Sequence, residues 1–598
     1  MFDFSAIRSS LRAGVVIGCM AACMDLAVSD GTPPGIWTHE DEWEPSVDIG
    51  VLSSARVEPL CVRHGVDTFA LSLGLVDPAN VVEVRVHVYL FTQNGVPTNP
   101  ILLFDDGLDD DAVAGDGIFT ASALEFASAP EPVGKAGLRF WDIDLVFADM
   151  TVQTVNEDLA LTILYIQPSI PLPQVDTLAP DVVASPHVVS ISSPLSGSFP
   201  SNSVSVTTIA NRYYDFFPDD RDFLFVARMF NTGGAPAASF GVVNNDVQGI
   251  GLSVFDSSAA YGSAGVLQGV MNIYWGNGTS ILMNHELLHR WAAYLDFSLD
   301  LAASGSHWET IERPSSGFGG PPPYAGFHHH LKRAAQQWRG WYDDNVSDYD
   351  YSDLELYLMG LIGYDDLASP IPTLIDSTWD RYETLQGITY SYYFAAGMRD
   401  VPKSEIVGVE GSRVPDVSSA QTSFQSGLVV VYDRVLTAVE LAYWEYALSE
   451  YKQPSSTIHE WTFQQATGDR AQLDTYMPLL AGATPDGGPV PGAPLIVTSA
   501  ASPDDVTLTW GESCRAADTD YVVYQGQLGD SGSHSPVTCS TAGATSWGFD
   551  AGPGSHYFLV APRNSRSEGS SGYDSDGLER LPGAGTCLTR EIGSCDGS

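Results

Sequence analysis

The sequence is poor in basic residues, and this shortage excludes a class of partners. Its 598 residues include 27 Lys and Arg against 74 Asp and Glu, which gives a formal net charge of -47. A field this negative repels nucleic acid and anionic lipid surfaces, so a nucleic-acid-binding function is excluded. A chain of this length exceeds what a single hydrophobic core organises, so we expect several domains.

The sequence also lacks apolar runs long enough to span a bilayer. The run over residues 13–22 is too short for this, follows two arginines and ends at Met20-Ala21-Ala22-Cys23, a pattern typical of an export signal. The last four residues resemble a bacterial lipobox. The resemblance implies a lipidated Cys23, a cell-surface or outer-membrane lipoprotein and no other membrane contact. Ordinary cleavage near Ala22 would instead give a secreted protein.

Cysteine is scarce, and its placement predicts disulfides in one region. Of the 7 cysteines, four lie close to the C-terminus, at Cys514, Cys539, Cys587 and Cys595. In an exported segment four clustered cysteines indicate two disulfides. The simplest of three pairings joins Cys514 to Cys539 and Cys587 to Cys595. Cys61 is left over. It is either a buried thiol or a thiolate in a prosegment that would bind and block a metal site elsewhere in the chain.

Changes in composition divide the chain into domains. Residues 81–91 and 137–149 alternate and are rich in valine, as half-buried strands are, and residues 504–511 and 519–526 alternate in the same way. Proline-rich stretches separate these regions. The expected layout is a signal over 1–23, a tether over 24–48, an immunoglobulin-like sandwich over 49–168, a linker over 169–196, a mixed domain over 197–480, a linker over 481–493 and a sandwich resembling fibronectin type III over 494–598.

Helical and strand patterns interleave in the mixed domain. Helices are expected over 206–219, 280–297, 352–361 and 437–451, and strands over 222–230 and 249–256. This interleaving predicts an α+β or α/β domain. The predicted fold class is therefore a multidomain protein in which an α+β domain is flanked by two β-sandwiches.

The motif with the most chemistry is His285-Glu286-Leu287-Leu288-His289. Residues four apart on a helix share one face, so His285 and His289 can bind one Zn²⁺ through their imidazole nitrogens. Zinc lowers the pKa of a bound water to about 7, and Glu286 is placed to accept the proton. The motif predicts a zinc site with Glu286 as the general base.

A catalytic zinc needs a third protein ligand and an open position. His307 is the candidate, because it follows a loop-like segment and stands in Gly305-Ser306-His307-Trp308-Glu309. The His-Glu-x-x-His motif, a spacer and this segment resemble the leishmanolysin-like branch of the metzincin metallopeptidases, over about residues 200–325. The resemblance implies a zincin-like α+β catalytic domain whose zinc ligands are His285, His289 and His307 and whose general base is Glu286.

The chain departs from the family pattern in two respects. Ala292 and Leu295 stand where compact metzincins have a glycine and a third histidine. No methionine closely follows His307, and Met359 is the candidate for the methionine that metzincins place beneath the metal. These departures leave open whether the site is active or degenerate.

Alternatives remain for two roles at the site. Glu355 or Asp353 could supply the third ligand in place of His307, as in glutamate-zinc enzymes. An oxyanion could be stabilised by a tyrosine. The candidate tyrosines, which lie downstream of the ligands, are Tyr324, Tyr349, Tyr351 and Tyr357.

An acidic loop in the first sandwich region is a second candidate metal site. Carboxylates at short spacing in a glycine-punctuated turn suit a hard cation such as Ca²⁺. The candidate ligands are Asp105, Asp109, Asp111 and Asp116. An acidic loop without an ion is the alternative.

Three functions fit these patterns. The first is a zinc-dependent endopeptidase, exported and surface-anchored, that acts as a monomer on a protein or peptide substrate. The second is a surface binding or adhesion protein in which the peptidase-like domain is degenerate. The third is a metal-dependent hydrolase, such as an amidase, that acts on other bonds with the same activated water.

Overall fold

The computed structural model of the chain describes part of the sequence. The described residues are 51–90, 100–125, 131–197, 199, 202–230, 238–274, 280–292, 294–303, 307–308, 329–332, 337–341, 350–385, 388–456, 462–485, 490, 492–499, 505–515, 517–573, 578–580, 582–583, 585–593 and 595. Over these residues the protein is rich in β-structure, with several separate sheets. The sequence-based prediction of a multidomain, β-rich protein is confirmed at this level.

The first module consists of two sheets that share one apolar core. Its strands are β1 (Leu52–Glu58), β2 (Cys61–Arg63), β3 (Phe69–Leu75), β4 (Val81–Leu90), β5 (Ile101–Leu103), β6 (Ile118–Leu124), β7 (Val133–Phe147) and β8 (Val152–Ile166). One sheet has the order β1-β3-β6 and the other β2-β8-β7-β4-β5. Leu71 of the first sheet and Val84, Val86 and Ile143 of the second meet in the core. The strands predicted over 81–91 and 137–149 correspond to β4 and β7.

The middle of the chain contributes both strands and helices. Its strands are β9 (Asp176–Ala179), β10 (Val182–Ala184), β11 (Val188–Ser192), β12 (Phe223–Arg228), β13 (Ala238–Val242), β14 (Asn244–Asn245), β15 (Phe255–Asp256), β16 (Gly269–Tyr274), β17 (Ala302–Ala303), β18 (His307–Trp308), β19 (His329–Lys332), β20 (Gln337–Trp341), β21 (Ile371–Ile375), β22 (Thr378–Leu385), β23 (Ile388–Phe394), β24 (Gly397–Val401), β25 (Ser423–Tyr432) and β26 (Gln472–Asp474). Its α-helices are α1 (Val206–Tyr214), α2 (Ser280–Leu288), α3 (Asp353–Met359), α4 (Lys403–Glu410), α5 (Ala438–Tyr451) and α6 (Phe463–Ala466), with short 3-10 helices at Ser258–Tyr261 and Phe297–Leu299.

An eight-stranded sheet organises this region. Its order is β13-β16-β12-β25-β11-β10-β9, with β26 beside β25. The central strands β16, β12, β25 and β11 run parallel, and β13 closes one edge in the antiparallel sense. Every residue of β12 is buried, as expected for a parallel strand covered on both faces. A separate four-stranded sheet has the order β19-β20-β23-β22.

Several helices begin at capping residues that the sequence offers. Thr437 and Glu440 form a reciprocal capping box at the start of α5, and Ser205 caps α1 through its hydroxyl. The helices predicted over 352–361 and 437–451 are present as α3 and α5. The helix predicted over 206–219 is present as α1 but ends at Tyr214. Among the described residues, no helix has both the length and the apolar character that crossing a membrane requires.

The last module also pairs two sheets. Its strands are β27 (Ile496–Ser499), β28 (Asp505–Thr509), β29 (Asp520–Gln527), β30 (Ser535–Thr538), β31 (Ser546–Asp550), β32 (His556–Arg563), β33 (Ser567–Glu568) and β34 (Thr589–Arg590). The sheet orders are β27-β28-β31 and β30-β29-β32-β33-β34. Leu508, Trp510, Tyr521 and Val560 form a core between them.

The four cysteines of this module form two disulfides, as expected, but the pairing expected from their spacing is wrong. Cys514 is bonded to Cys595, and Cys539 is bonded to Cys587. The final segment of the chain runs back across the module, where Gly583 lies against the backbone of His534. Sequence spacing favours neighbouring cysteines, whereas this return of the chain brings distant ones together.

Parts of the stretches expected to be linkers belong to folded modules. Three strands, β9 to β11, occupy residues 176–192 of the stretch 169–196, and β11 pairs with β25 in the central sheet. The misleading prolines Pro180 and Pro186 lie in the turns between these short strands. In the stretch 481–493, Ala481 and Ala483 form bridges to the last module.

The first module and the central region share a continuous core. Leu60, Cys61 and Leu164 of the first module pack in the same apolar cluster as the central sheet and α5. The Glu440 carboxylate on α5 accepts a hydrogen bond from the backbone N–H of Leu60 at 2.8 Å. Arg434 pairs with both Glu440 and Glu58 and thus joins the two modules by charge.

Candidate functional site

Helix α2 carries the His-Glu-x-x-His motif against the core. Met283, Leu287 and Leu288 are buried and fix one face of the helix. His285 is half-buried, and His289 follows the last helical residue with 8% of its surface exposed. The two imidazole rings have centroids 5.3 Å apart and planes at 79°. Two imidazoles so close, one helical turn apart, form a donor pair that fits a zinc ion.

Glu286 lies between the two histidines in sequence and is shielded from water. Only 6% of its surface is exposed. Burial raises the pKa of Glu286 to about 8, because desolvation disfavours the charged carboxylate. A nearby dication acts in the opposite sense and favours the ionised form. Without a metal the side chain is therefore mostly protonated near neutral pH, in a setting where a cation changes its state.

The helix that carries the motif is shorter than the sequence indicates. The structure ends α2 at Leu288, so the helix predicted over 280–297 is wrong in its second half. The backbone N–H groups of His289, Arg290 and Trp291 donate to carbonyls three residues back, which tightens the last turn. The Tyr294 hydroxyl donates to the carbonyl of His289. Side-chain contacts end this helix, and the sequence has no glycine or proline here that would predict its end.

Arg290 anchors the turn that follows the motif. Its side chain is 1% exposed, and its Nη1 donates to Asn245 Oδ1 at 2.9 Å while its Nε donates to Gln268 Oε1 at 3.0 Å. Asn245 is fully buried and donates in turn to the carbonyls of Val247 and Ser253. The position of His289 is thus coupled through its neighbour to a saturated polar network.

The segment packed under this turn is a loop where a strand was expected. The strand prediction over 249–256 is wrong except at Phe255–Asp256. The side chain of Asn245 holds the residues before Phe255 in a tight loop through its hydrogen bonds. Gly251 has φ 82°, and a Cβ at this position would lie 2.0 Å from the carbonyl oxygen of Tyr294. Only glycine allows the loop to approach the turn so closely.

The expected third ligand, His307, belongs to a short strand. It lies in β18 opposite Ala303 of β17, and its side chain lies outside the described part of the structure. The next residue, Trp308, is fully buried, and its indole N–H donates to Glu355 Oε1 at 3.0 Å. The structure therefore fixes the residue beside His307 to helix α3.

Glu355, the alternative third ligand, makes hydrogen bonds that stabilise the fold. It is fully buried, and its Oε2 accepts the backbone N–H of Ser352 at 2.7 Å in a capping box at the start of α3. Because Oε1 already accepts from Trp308, both carboxylate oxygens are engaged. Asp353, the other alternative, lies in the first turn of α3 and is half-buried.

The structure also locates the family-related positions and the candidate oxyanion tyrosines. Ala292, Leu295 and Met359 are buried in the common core. Tyr351 and Tyr357 are buried as well, and the Tyr351 hydroxyl donates to the backbone carbonyl of Asn284 at 2.7 Å. Tyr324 and Tyr349 lie outside the described residues.

A buried polar contact on α2 was missed by the sequence reasoning. Asn284 is 2% exposed, and its Oδ1 accepts a hydrogen bond from the Tyr451 hydroxyl at 2.5 Å. One signal was available, because Asn284 precedes Leu287 and Leu288 by three and four residues and so shares their apolar helix face. A polar side chain there calls for buried partners.

The acidic loop brings three of its four candidate ligands together. Carboxylate oxygens of Asp105, Asp111 and Asp116 lie within 4.8 Å of one another, and Asp109 is not part of the group. Asp105 accepts the backbone N–H of Gly117 at 2.9 Å, and Asp111 accepts that of Gly107 at 2.5 Å. These carboxylates hold the loop backbone whether or not a cation binds.

The remaining candidates lie away from the motif or outside the described residues. Cys61 is buried in β2 with 1% exposure, and burial raises the pKa of its thiol well above the usual value. This environment is that of a structural thiol and does not favour a metal-blocking thiolate. The signal over 1–23 with its Cys23 and the tether over 24–48 lie outside the described residues.

Neither a protein-family model nor a curated protein sequence matches the chain. A function must therefore be argued from the residues of the site and their surroundings.

Proposed function

We propose that the protein is a zinc-dependent endopeptidase whose site lies on α2. The observation that carries the proposal is the geometry of the motif. Two imidazole rings one helical turn apart, with centroids 5.3 Å from each other, flank a glutamate that is almost fully buried. A structural zinc site has no need of such a glutamate, whereas hydrolysis requires a base there.

His285, His289 and His307 would hold the zinc. The two imidazoles on α2 supply one side of the site, and the engagement of both Glu355 oxygens favours His307 as the third ligand. When bound, zinc supplies a Lewis acid and lowers the pKa of a bound water to about 7. Buried Trp308 restricts the backbone beside His307, so that ligand would be positioned before the ion arrives.

Glu286 would move the proton. In this proposal its carboxylate accepts the proton of the attacking water and returns it to the leaving amine. The low exposure of Glu286 supports this role, because bulk water cannot compete for the proton in a shielded site.

The edge of the central sheet offers a place for an extended peptide. Strand β13 is one edge strand of this sheet, antiparallel to β16, and α2 packs against it. A peptide that adds to a sheet edge gains main-chain hydrogen bonds irrespective of its side chains. The central sheet is parallel with an antiparallel edge strand, and this edge lies beside α2. This arrangement supports the zincin-like α+β architecture implied by the leishmanolysin-like resemblance.

The cellular setting that we propose is outside the cytoplasm. Two disulfides in the last module support export, because such bonds persist in oxidising compartments. The large negative charge is typical of a surface exposed to solvent. It is also compatible with a lipid anchor, because such an anchor needs no basic patch to hold the protein at a membrane.

The test is metal-dependent cleavage by the full-length protein. We expect about one equivalent of zinc and cleavage of a peptide library that stops on chelation and returns on adding zinc. Loss of zinc in His289→Ala would locate the metal. A protein without zinc would overturn the proposal, and bound zinc without cleavage of any peptide would favour the binding or adhesion alternative.

A further inference from the structure

Two tyrosines from separate elements converge on the residue that precedes the motif. The Tyr351 hydroxyl, just before α3, donates to the backbone carbonyl of Asn284 at 2.7 Å. The Tyr451 hydroxyl, at the end of α5, donates to Asn284 Oδ1 at 2.5 Å. All three residues are no more than 2% exposed. We call this set the Asn284 clamp.

The clamp places polar groups where apolar ones would fill the same space. Burying an amide and two hydroxyls is unfavourable unless their hydrogen bonds are made. Leu287 and Leu288 on the same helix face already supply apolar packing. The polar contacts therefore constrain the orientation of α2 rather than bury more apolar surface. A hydrogen bond fixes geometry more tightly than an apolar contact does.

Direction matters for residues that must meet a metal. An imidazole nitrogen lies about 6 Å from the axis of its helix, so a rotation of α2 by about 10° would move it by about 1 Å. A metal site tolerates misplacement of roughly 0.5 Å. One clamp bond is made to the backbone and the other to a side chain, so together they oppose both rotation and sliding of α2.

Each tyrosine is itself held from its own element. The backbone N–H of Tyr351 donates to the carbonyl of Ala466 at 2.8 Å, at the end of α6, and its ring lies edge-on to Phe463. Tyr451 closes α5, whose start is fixed by the capping box of Glu440. The clamp therefore ties α2 to three other helices, α3, α5 and α6.

We propose that Tyr351 and Tyr451 are positioning residues for the metal site, which set the orientation of α2 through Asn284. The proposal rests on the proposed zinc function. Loss of one clamp bond is expected to lower zinc affinity by about tenfold, and loss of both by up to about a hundredfold. Each variant should also lower the free energy of unfolding, because the oxygen of Asn284 that loses its donor stays buried.

The experiment compares Tyr351→Phe, Tyr451→Phe and the double variant with Tyr213→Phe in the full-length protein. Tyr213 is a matched control, because it is buried and its hydroxyl has no hydrogen-bond partner among the described residues. Zinc affinity is measured by competition with a chelating dye, and the visible spectrum of the Co²⁺-loaded protein reports ligand geometry. Hydrogen exchange of residues 280–292 is measured in the presence of a chelator, so that it reports on α2 without metal.

The clamp is supported if the clamp variants lose affinity and shift the Co²⁺ spectrum while Tyr213→Phe does neither. Exchange in α2 should then quicken by about fivefold for each lost bond. Unchanged affinity and spectrum in the double variant would overturn the clamp, even if the protein binds zinc. A wild-type protein that takes up no zinc would overturn the proposed function, and unchanged exchange in the double variant would then also dismiss the clamp.

Discussion

Glu286 and Glu355 are both buried glutamates, but their surroundings differ. Both oxygens of Glu355 accept hydrogen bonds, from Trp308 and from the backbone of Ser352. Burial raises the pKa of Glu286 to about 8. A carboxylate that is satisfied by neutral donors stabilises the fold, whereas one raised by desolvation is available for proton transfer once a cation lies beside it.

This contrast predicts which residue is the third zinc ligand. His307→Ala should lower zinc affinity by at least about a hundredfold, since each ligand carries a similar share of the binding free energy. Glu355→Gln should change affinity by no more than about tenfold but lower the free energy of unfolding by about 1–3 kcal/mol. Dye competition and thermal unfolding measure the two effects. The reverse pattern, with zinc lost only in Glu355→Gln, would make Glu355 the ligand.

The closeness of the two motif histidines was the easiest feature to predict from the sequence. The pairing of His285 and His289 follows from helical periodicity, and their rings do lie close together. The partners of Asn284 could not be predicted, because Tyr351 and Tyr451 are separated from it by 67 and 167 residues. Such contacts depend on tertiary packing, which sequence periodicity does not encode.

At the scale of elements, the end of α2 is where local signals failed. The residues that follow His289 have no helix-breaking character, yet Arg290 turns into a polar network and Tyr294 bonds back to the carbonyl of His289. The loop that supports this turn depends on Gly251, whose backbone conformation is left-handed. The strands of the first and last modules were predicted well, because alternation of burial is a local property.

Gly251 offers a direct test of this supporting loop. Gly251→Ala would place a Cβ against the Tyr294 carbonyl and strain a left-handed backbone, so we expect a loss of at least about 2 kcal/mol in the free energy of unfolding. Gly408→Ala is the matched control. Gly408 lies inside α4 with open space around it, so alanine should stabilise the protein by about 0.5–1 kcal/mol. Equal midpoints of urea unfolding for the two variants would contradict this view of the loop.

At the scale of the molecule, contacts between described residues join the modules to one another. The first module shares its core with the central sheet, and Arg566 of the last module pairs with Asp176 of β9 at 3.2 Å. The proline-rich stretches indicated linkers because composition does not reveal strand pairing. The return of the final segment, which decides the disulfide pairing, is also a property of the whole chain.

Glu440 is the ionisable group at the joint between the first module and the central region, and it predicts a pH dependence. Although desolvation opposes ionisation, hydrogen bonds from Arg434 and the Thr437 N–H hold the pKa of Glu440 below its usual value. Its contribution to stability is therefore present above the unfolded pKa of about 4.3 and is lost as pH falls through the lower folded value. Glu440→Gln should cost roughly 2–4 kcal/mol near pH 7 and progressively less below about pH 4.

Urea unfolding across this pH range measures the effect of Glu440. The control is Glu405→Gln, which removes a partly exposed pair with Arg399 and should cost less than about 1 kcal/mol. A cost for Glu440→Gln that stays constant from neutral to acid pH would show that the Glu440 charge does not stabilise the joint.

The central claim is that Glu286 acts as the base at a zinc site on α2, and one rate ratio tests it most directly. Peptide cleavage is measured for the wild type and Glu286→Gln at equal zinc content, with exposed Glu512→Gln as the matched control. The account predicts that kcat/KM falls by about 10²–10⁴-fold in Glu286→Gln and is unchanged in Glu512→Gln. Equal rates for wild type and Glu286→Gln, with zinc retained in both, would contradict it.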